Sequence, residues 1–387
     1  MTTQPTVETG RAEQAYGDTE PTAFPRSPRA VVAALVAFAV VARVGLWAVG
    51  LATTGYALRF SHTALLVWAR WDAPHYLHVA TGGYVGRGPN ALWIVFFPLY
   101  PVLVHVAAWV FGNAIVSALV VSLVASVAAG FFLYKLAALG SPPDEAWRSV
   151  VLLFAFPTAY FLAAPYSEGV FMAAIIASIY AARRDRWGWA ALAGAAATAS
   201  RLTGLAIVPA LAVEALRSTG SSRLRRLGAA ALSASGFVIY LGLNRSIFGH
   251  PLEFMKIERG RPWYQQAVPP WHPLVEAVAK LGHRAAWNFW FVYPARLAAF
   301  VLAAGLLVWG WRRLRASDHA FAWTALAMSL SGARLISLPR YILGLYPIFI
   351  VAAWKLRSRL LFWAVVGLGF AAQGYLFSRY ARGLWAF

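Results

Sequence analysis

The chain has 387 residues, of which 60% are hydrophobic and only 12% are charged. A soluble domain carries roughly a quarter charged residues, so this composition excludes an ordinary soluble protein. The net charge is +20, but the basic residues lie in short clusters between apolar runs. This is the positive-inside pattern of membrane proteins, so we expect membrane lipids and no nucleic acid as partners. The chain has no Cys, which excludes disulfides and thiolate metal sites.

The chain begins with a polar segment, residues 1–29, which is rich in Thr, Glu and Pro and has no apolar periodicity. Such a composition predicts a disordered tail, which we place in the cytoplasm. It is not a signal peptide, because the apolar run that follows is too long. The remainder, residues 30–387, is predicted to form a single transmembrane domain.

Apolar runs of about 20 residues then recur, which is the length that crosses roughly 30 Å of hydrocarbon. In lipid these runs must be helices, because every backbone N–H and C=O has to be satisfied within the segment. The sequence therefore predicts an all-α polytopic membrane protein with about ten or eleven membrane segments. The predicted spans are residues 30–52, 113–138, 148–164, 167–182, 227–246, 290–311, 319–336, 341–356 and 360–378.

Two shorter apolar stretches lie between residues 187 and 216, separated by Ser200, Arg201 and Thr203. At roughly 1.5 Å per residue, neither stretch crosses a bilayer comfortably. We predict a helical hairpin that enters the membrane and returns.

The basic clusters decide how the segment 92–111 is placed. Four clusters, at residues 183–186, 217–226, 312–315 and 355–359, are all expected in the cytoplasm. They share that side only if 92–111 does not span, so this segment is predicted to lie in the outer interface. Function is then expected in the outer loops 53–112 and 247–289 and in the turns 165–168 and 337–341, since loops on a rigid scaffold carry function.

Few carboxylates remain on the predicted outer side once the tail and the cytoplasmic helix ends are removed. The five that remain are Asp72, Glu168, Glu253, Glu258 and Glu276. Asp72 is the candidate general base, because on an interfacial helix it shares a face with His75 and Tyr76 and is flanked by Trp71 and His78. The alternative role for Asp72 is to cap the helix, with Pro74 in its first turn.

The other charged residues near membrane depth each have two interpretations. Glu168 follows Tyr166 at a helix start, where an acid is either functional or a partner of the helix dipole. Arg201 is a candidate ligand of a lipid phosphate, or else the ion-pair partner of an acid from another span. Arg340 and Arg87 are further phosphate candidates, with snorkelling to the interface as the alternative.

Other chemistries have little support in the sequence. His75, His78 and His105 do not form a recognised metal motif, and no Walker A, dinucleotide or nucleophile-elbow pattern occurs. We therefore predict no metal ligands and no required cofactor, although a divalent metal is compatible with the sequence. Trp263 lies in a polar outer loop, where it either stacks on a sugar or anchors the loop at the interface.

RWDAPHYLHVATGGY (70–84) is followed by FFPLYP (96–101). Together these segments resemble the first luminal loop of the PIG-V family, whose eukaryotic members are GPI mannosyltransferase 2, although Ala73–Pro74–His75 departs from the usual residues. The similarity continues in chain order with PYSEG (165–169), SRLTGLAIVPAL (200–211), FGHPLEFMKIERGRPW (248–263) and SLPRYILGLYPIF (337–349).

This resemblance implies a GT-C glycosyltransferase fold with its active site on the extracytoplasmic face of the cell membrane. It further implies a polyprenyl-phosphate-mannose donor, a lipid-anchored glycan or glycolipid acceptor, and transfer with inversion. The family's acidic residue of the first outer loop corresponds to Asp72. Arg201, Arg340, Arg87 and Tyr341 are then expected at the donor.

Two other functions compete with a glycosyltransferase. A transporter or flippase of a lipid-linked saccharide tends to have repeated halves with matching broken helices, and no such repeat is evident in this sequence. A non-catalytic membrane assembly subunit would have outer-loop acids that are dispensable.

Overall fold

The computed structural model describes residues 27–55, 62–282, 288–335 and 337–387. Most of the predicted tail, residues 1–26, lies outside the described residues. Within the described ranges the chain is helical, and its only strand-like pairing is an isolated bridge between Ala267 and Gly332. The prediction of an all-α chain is therefore confirmed.

Eighteen α-helices follow one another in the described ranges, together with short 3-10 turns. Their bounds are α1 Pro28–Thr54, α2 His62–Leu65, α3 Ala73–Gly82, α4 Leu99–Phe111, α5 Ala114–Ala137, α6 Pro143–Ala155, α7 Glu168–Arg183, α8 Trp187–Thr198, α9 Ile207–Arg217, α10 Arg223–Leu232, α11 Ser235–Phe248, α12 Glu253–Arg259, α13 His272–Ala279, α14 Asn288–Trp309, α15 Ala316–Leu330, α16 Leu338–Leu343, α17 Tyr346–Lys355 and α18 Arg359–Ala381.

Five helical segments in the described part of the chain are long and apolar enough to cross a membrane. They are Arg29–Thr54, Ala114–Ala137, Arg223–Phe248, Val292–Trp309 and Arg359–Ala381. Each coincides with a predicted span, and the chain is thus a multi-pass membrane protein. The other predicted spans correspond to shorter helices, α6, α7, α15 and α17. The helix α6, for example, ends at Ala155, shortly before Pro157, because the residue before a proline is driven out of the helical region.

The segment 92–111 is bent. A 3-10 turn, Pro89–Val95, and the helix α4 meet at an angle of 109°. The 13 residues of α4 extend only about 20 Å, which is short of a bilayer crossing. This geometry agrees with a segment that does not cross as one straight helix.

The predicted hairpin is formed by α8, a 3-10 turn and α9, with Arg201 immediately before the turn Leu202–Ala206. A Cβ at Gly204 would lie 2.2 Å from the carbonyl oxygen of Ala197, so only glycine permits this close return. The turn thereby places Arg201 inside the bundle, beside the start of α7.

The centre of the bundle holds α5, which packs against α1, α4, α6 and α7. The guanidinium of Arg43, on α1, donates to the hydroxyl of Ser126 at 2.8 Å and to the carbonyl oxygens of Ser122 and Leu162 at 3.0 and 2.9 Å. These oxygens satisfy a cation that would be costly at membrane depth. Arg43 thus fixes α1 to α5 and to the segment that leads into α7.

Ion pairs and a cation–π contact show that all four basic clusters lie at one end of the bundle. Nη2 of Arg183 binds Oδ1 of Asp318 at 2.6 Å, and Nη1 of Arg315 binds Oε1 of Glu214 at 3.2 Å. The guanidinium of Arg313 lies 4.3 Å from the ring of Trp354. Because Glu168 and Arg183 are the two ends of α7, the turn at Glu168 belongs to the opposite end.

Candidate active site

Asp72 and Arg340 form the centre of the candidate site. Nη1 of Arg340 donates to Oδ2 of Asp72 at 2.8 Å, and the two side chains are 8% and 34% exposed. The carboxylate therefore lies at the opening and the guanidinium behind it. The guanidinium also lies 4.8 and 4.6 Å from the ring centroids of Phe161 and Tyr166, where cation–π attraction favours it.

Glu168 links the buried Arg340 to the partly buried Arg201. Its Oε1 accepts hydrogen bonds from Nε of Arg340 and from Nη1 of Arg201. Asp72, Glu168, Arg201 and Arg340 thus form a balanced cluster of two carboxylates and two guanidinium groups, the ion-pair cluster. Removing one partner of such a buried pair costs about 3–5 kcal/mol. The ion-pair interpretation of Arg201 is the one that the structure supports, since its acid comes from another helix.

The second oxygen of Glu168, Oε2, is buried and has no hydrogen-bond partner in the described part of the chain. Glu168 lines a small cavity together with Arg201, Thr203, Arg340 and Tyr341, and the guanidinium of Arg201 lies 5.4 Å from the Tyr341 ring. The enclosed volume of about 10 Å³ holds roughly one water molecule. A larger ligand therefore has to displace part of the cluster or approach from the side of Asp72.

The backbone directs the Asp72 side chain away from the helix that it precedes. Asp72 occupies the cap position of α3, but its side chain makes no capping hydrogen bond. The preceding residue, Trp71, has a φ of 57°, a region that bulky residues rarely adopt. Asp72 is therefore at the predicted cap position, while its carboxylate points to Arg340.

Two tyrosines hold this loop in place. The Tyr166 hydroxyl accepts from the backbone N–H of Asp72 at 3.0 Å and donates to the carbonyl oxygen of Arg70 at 2.9 Å. The Tyr380 hydroxyl donates to the carbonyl oxygen of Trp68 at 2.7 Å and accepts from the N–H of Arg70 at 3.2 Å. Sequence analysis singled out Tyr166 but not Tyr380. No local sequence pattern indicates a contact between Arg70 and Tyr380, which are 310 residues apart in the chain.

An aromatic wall extends from α3 towards the second outer loop. His75 stacks on Trp93 with centroids 3.7 Å apart, and Phe96 lies next to both His75 and Trp263. The Tyr76 hydroxyl is hydrogen-bonded to the Ser167 hydroxyl at 3.0 Å. Burial lowers the pKa of His75 against the opposing influence of Asp72, and burial raises the pKa of Tyr76 to about 12. Both side chains are therefore uncharged at neutral pH.

Three further predicted residues, Trp71, His78 and Arg87, lie at the exposed surface and not in the ion-pair cluster. Trp71 is 43% exposed and meets the edge of Trp385, with centroids 5.3 Å apart. His78 and Arg87 are exposed, and neither forms an ion pair with a described residue. His105 belongs to the scaffold, because its Nδ1 is 2.8 Å from the carbonyl oxygen of Ala80.

The other three acids that the sequence predicted on the outer side have different surroundings. Glu253 pairs with Lys256 at 3.2 Å, and Glu276 pairs with Lys280. Glu258, in contrast, has no ion-pair partner among the described residues. Burial raises its pKa to about 7.

No set of three or more His, Asp and Glu side chains in the described ranges is arranged to hold a metal ion.

Comparisons with known proteins give no family. No family model and no curated protein matches the chain. Solved structures of the Archaeoglobus fulgidus oligosaccharyltransferase align with it, at a TM-score of 0.45 and 14% identity for the complex with zinc and sulfate. The apo form gives 0.47 and 12%, and the form tethered to an acceptor peptide with the NVT sequon gives 0.41 and 12%.

The alignments cover 90–92% of this chain but only 53–56% of the oligosaccharyltransferase. The chain thus spans about half the length of the structures that it matches.

Proposed function

We propose that the chain is a membrane glycosyltransferase of the GT-C type, which transfers a sugar from a polyprenyl-phosphate donor with Asp72 as the general base. The observation that carries this proposal is the ion-pair cluster, in which the partly exposed carboxylate of Asp72 contacts the buried guanidinium of Arg340, and Glu168 links Arg340 to Arg201. A base and a phosphate ligand are thereby held within one hydrogen-bond length of each other.

The proposed reaction needs one proton acceptor. The acceptor hydroxyl loses its proton to Asp72 while its oxygen attacks the anomeric carbon of the donor sugar. The bond from that carbon to the phosphate oxygen breaks, and the electron pair leaves with the phosphate. Attack from the face opposite the phosphate inverts the anomeric configuration. A glycosidase needs two carboxylates for its chemistry, whereas a donor that already carries phosphate requires no general acid.

The arginines stabilise the leaving phosphate. Each guanidinium carries five N–H donors, of which Arg340 uses Nε and Nη1 and Arg201 uses Nη1 for carboxylates. The remaining donors can bind phosphate oxygens, and preorganised donors in a water-poor site stabilise developing charge strongly. Tyr341 lies beside Arg201 and completes this part of the site. Arg87 is exposed and would meet the donor only at the outer surface.

Other residues of the site are assigned to the sugars. The unpartnered Oε2 of Glu168 would accept a hydrogen bond from a substrate hydroxyl. His75 and Trp263 offer aromatic faces to a sugar ring, and the buried Tyr76 supports this wall from behind. The PIG-V resemblance suggests mannose as the sugar and a lipid-anchored glycan or glycolipid as the acceptor. A divalent cation at the phosphate is compatible with the same chemistry.

The site is proposed to face the extracytoplasmic side of the cell membrane. This orientation is supported by the gathering of the basic clusters at the opposite end of the bundle, since such clusters stay in the cytoplasm.

The direct test is a transfer assay with purified protein, labelled polyprenyl-phosphate sugars and total membrane lipid as the acceptor. We expect label from polyprenyl-phosphate-mannose to appear in a lipid fraction. The same protein reconstituted into vesicles tests the alternative function, in which the chain moves the lipid-linked donor across the bilayer. Movement of the labelled donor across the bilayer without any transfer product would reject the enzyme in favour of a flippase.

A further inference from the structure

A cleft lies between the C-terminal ends of α14 and α17, at the end of the bundle opposite Asp72. Its volume is about 800 Å³, which is in the range of ligand-binding sites. The lining contains four cationic side chains, Arg312, Arg313, Lys355 and Arg357, together with three tryptophans.

The walls of this cleft are held in place by specific contacts. Nε1 of Trp354 donates to the Ser141 hydroxyl at 2.6 Å, and Nη1 of Arg148 donates to the carbonyl oxygen of Leu356 at 2.8 Å. A Cβ at Gly310 would lie 2.4 Å from Cγ2 of Val351, so glycine allows the end of α14 to pack directly on α17. The cleft is therefore a built feature of the fold.

Positive charge in the cleft exceeds what neighbouring acids neutralise. The guanidinium of Arg313 lies 4.3 Å from the Trp354 ring, and the ammonium of Lys355 lies 4.3 Å from the Trp309 ring. Within the described ranges, the one carboxylate that pairs with these cations is Glu145, 3.3 Å from Arg313. Four cations and one acid leave a net positive charge, which favours an anionic ligand.

An apolar surface continues from the cleft along α14. Val308 and Trp309 are each 61% exposed, and Val301 and Leu302 are exposed on the same helix. Exposed apolar side chains on a membrane-spanning helix face lipid chains. A ligand that fills the cleft thus has its charged part among the cations and an apolar part along α14.

We propose that this cleft binds the phosphate headgroup of an anionic phospholipid, with the acyl chains lying along α14. Basic pockets between transmembrane helices are suited to such headgroups, and guanidinium groups bind phosphate in a bidentate manner. The tryptophans hold the cationic side chains in position and flank the headgroup. This site is separate from the proposed sugar-transfer site and does not depend on it.

The test is native mass spectrometry of the full chain in detergent, titrated with dioctanoyl phosphatidylglycerol or dioctanoyl phosphatidylcholine. We expect phosphatidylglycerol to be retained about tenfold better than phosphatidylcholine. The double variant Arg312→Gln/Lys355→Gln should lose about tenfold in affinity for phosphatidylglycerol. Both side chains are exposed, so the double variant should keep the wild-type melting temperature. The charge reversal Arg312→Glu provides a second variant.

The control is Arg217→Gln/Arg223→Gln, which removes the same charge from exposed positions in another basic cluster. It should retain phosphatidylglycerol as the wild type does. An equal loss in the control would mean that general surface charge attracts the lipid, and this would overturn the proposal. Competition by inorganic phosphate or glycerol phosphate at similar concentration would assign the cleft to a soluble phosphate and would also overturn it.

Discussion

Arg340 binds both carboxylates of the ion-pair cluster through a single guanidinium, and its planar fork makes this geometry possible. Its Nη1 binds Asp72 and its Nε binds Glu168, while the rings of Phe161 and Tyr166 lie against its face. A lysine at this position would bring a point charge without the fork. Arg201 has a simpler role in the cluster, because it binds one carboxylate only.

This difference predicts unequal effects of the same substitution. Arg340→Lys should lower kcat about 100-fold or more, because it disturbs both the base and the phosphate ligand. Arg201→Lys should mainly raise the KM for the donor, with a smaller loss of kcat. Steady-state kinetics at varied donor concentration measure both. A wild-type rate in Arg340→Lys would contradict the proposed role of this guanidinium.

Glu258 should make stability depend on pH. Its pKa is about 7 in the fold, above its usual value of 4.5, because of burial. As the pH rises above 4.5 the unfolded chain loses this proton first, so the contribution of Glu258 to stability is greatest at low pH. It falls between pH 4.5 and 7 and is constant above that range.

Glu258→Gln stays uncharged and should therefore raise the melting temperature at pH 8 relative to the wild type, with little change at pH 4.5. Glu253→Gln, on the same helix, is the matched control and should not reproduce this pH dependence. Melting curves in detergent at the two pH values provide the measurement. An identical pH dependence in wild type and Glu258→Gln would show that Glu258 does not titrate in this range.

At the scale of elements, the end of α18 positions the loop that precedes α3. The Tyr380 hydroxyl binds the backbone of Trp68 and Arg70, and Nε of Arg70 donates to the carbonyl oxygen of Ala381 at 2.9 Å. The base of the proposed reaction thus depends on a helix near the other terminus of the chain.

Tyr380→Phe keeps the ring and removes both hydroxyl contacts. The loss of such buried hydrogen bonds should cost about 1–3 kcal/mol of stability and should lower kcat while leaving the KM for the donor nearly unchanged. Tyr240→Phe is a matched control, since its buried hydroxyl donates to the carbonyl oxygen of Ile94 at 2.6 Å, away from Asp72. If both variants lose activity equally, the effect is one of general stability and not of positioning.

Sequence reasoning succeeded for these elements where the signal was local. The long apolar runs identified the five membrane helices, and the small polar residues around Arg201 identified the hairpin. Elimination by the predicted sidedness left five acids, of which the structure brings Asp72 and Glu168 together on Arg340. The partner of Asp72 could not be predicted, because Arg340 is 268 residues away and only packing selects it. The raised pKa of Glu258 depends in the same way on the burial of its side chain on α12, whose packing the sequence does not reveal.

At the scale of the whole molecule, the bundle has two charged ends with different characters. One end carries the ion-pair cluster next to a small cavity. The other carries the buried network of Arg183, Glu214 and Asp318, in which the Tyr346 hydroxyl also donates to Asp318. We expect the second network to hold the bundle together, because removing one partner of a buried ion pair leaves an uncompensated charge.

The orientation of these ends can be tested by cysteine labelling, because the natural chain has no Cys. Arg87→Cys, in the first outer loop, should react with a membrane-impermeant maleimide in intact cells. Arg223→Cys, in a basic cluster, should react only after permeabilisation. The reverse pattern would place the proposed active site in the cytoplasm and rule out an extracytoplasmic transfer.

The most direct measurement for the proposed mechanism is the transfer rate of Asp72→Asn, with donor affinity determined in parallel on the same purified protein. Loss of the general base should lower the rate by about 10²–10⁴-fold, while the donor still binds to Arg201 and Arg340. Glu276→Gln, another outer-loop acid, should transfer at the wild-type rate. A rate within about twofold of wild type in Asp72→Asn, far from that expected loss, would contradict the role of Asp72 as the base.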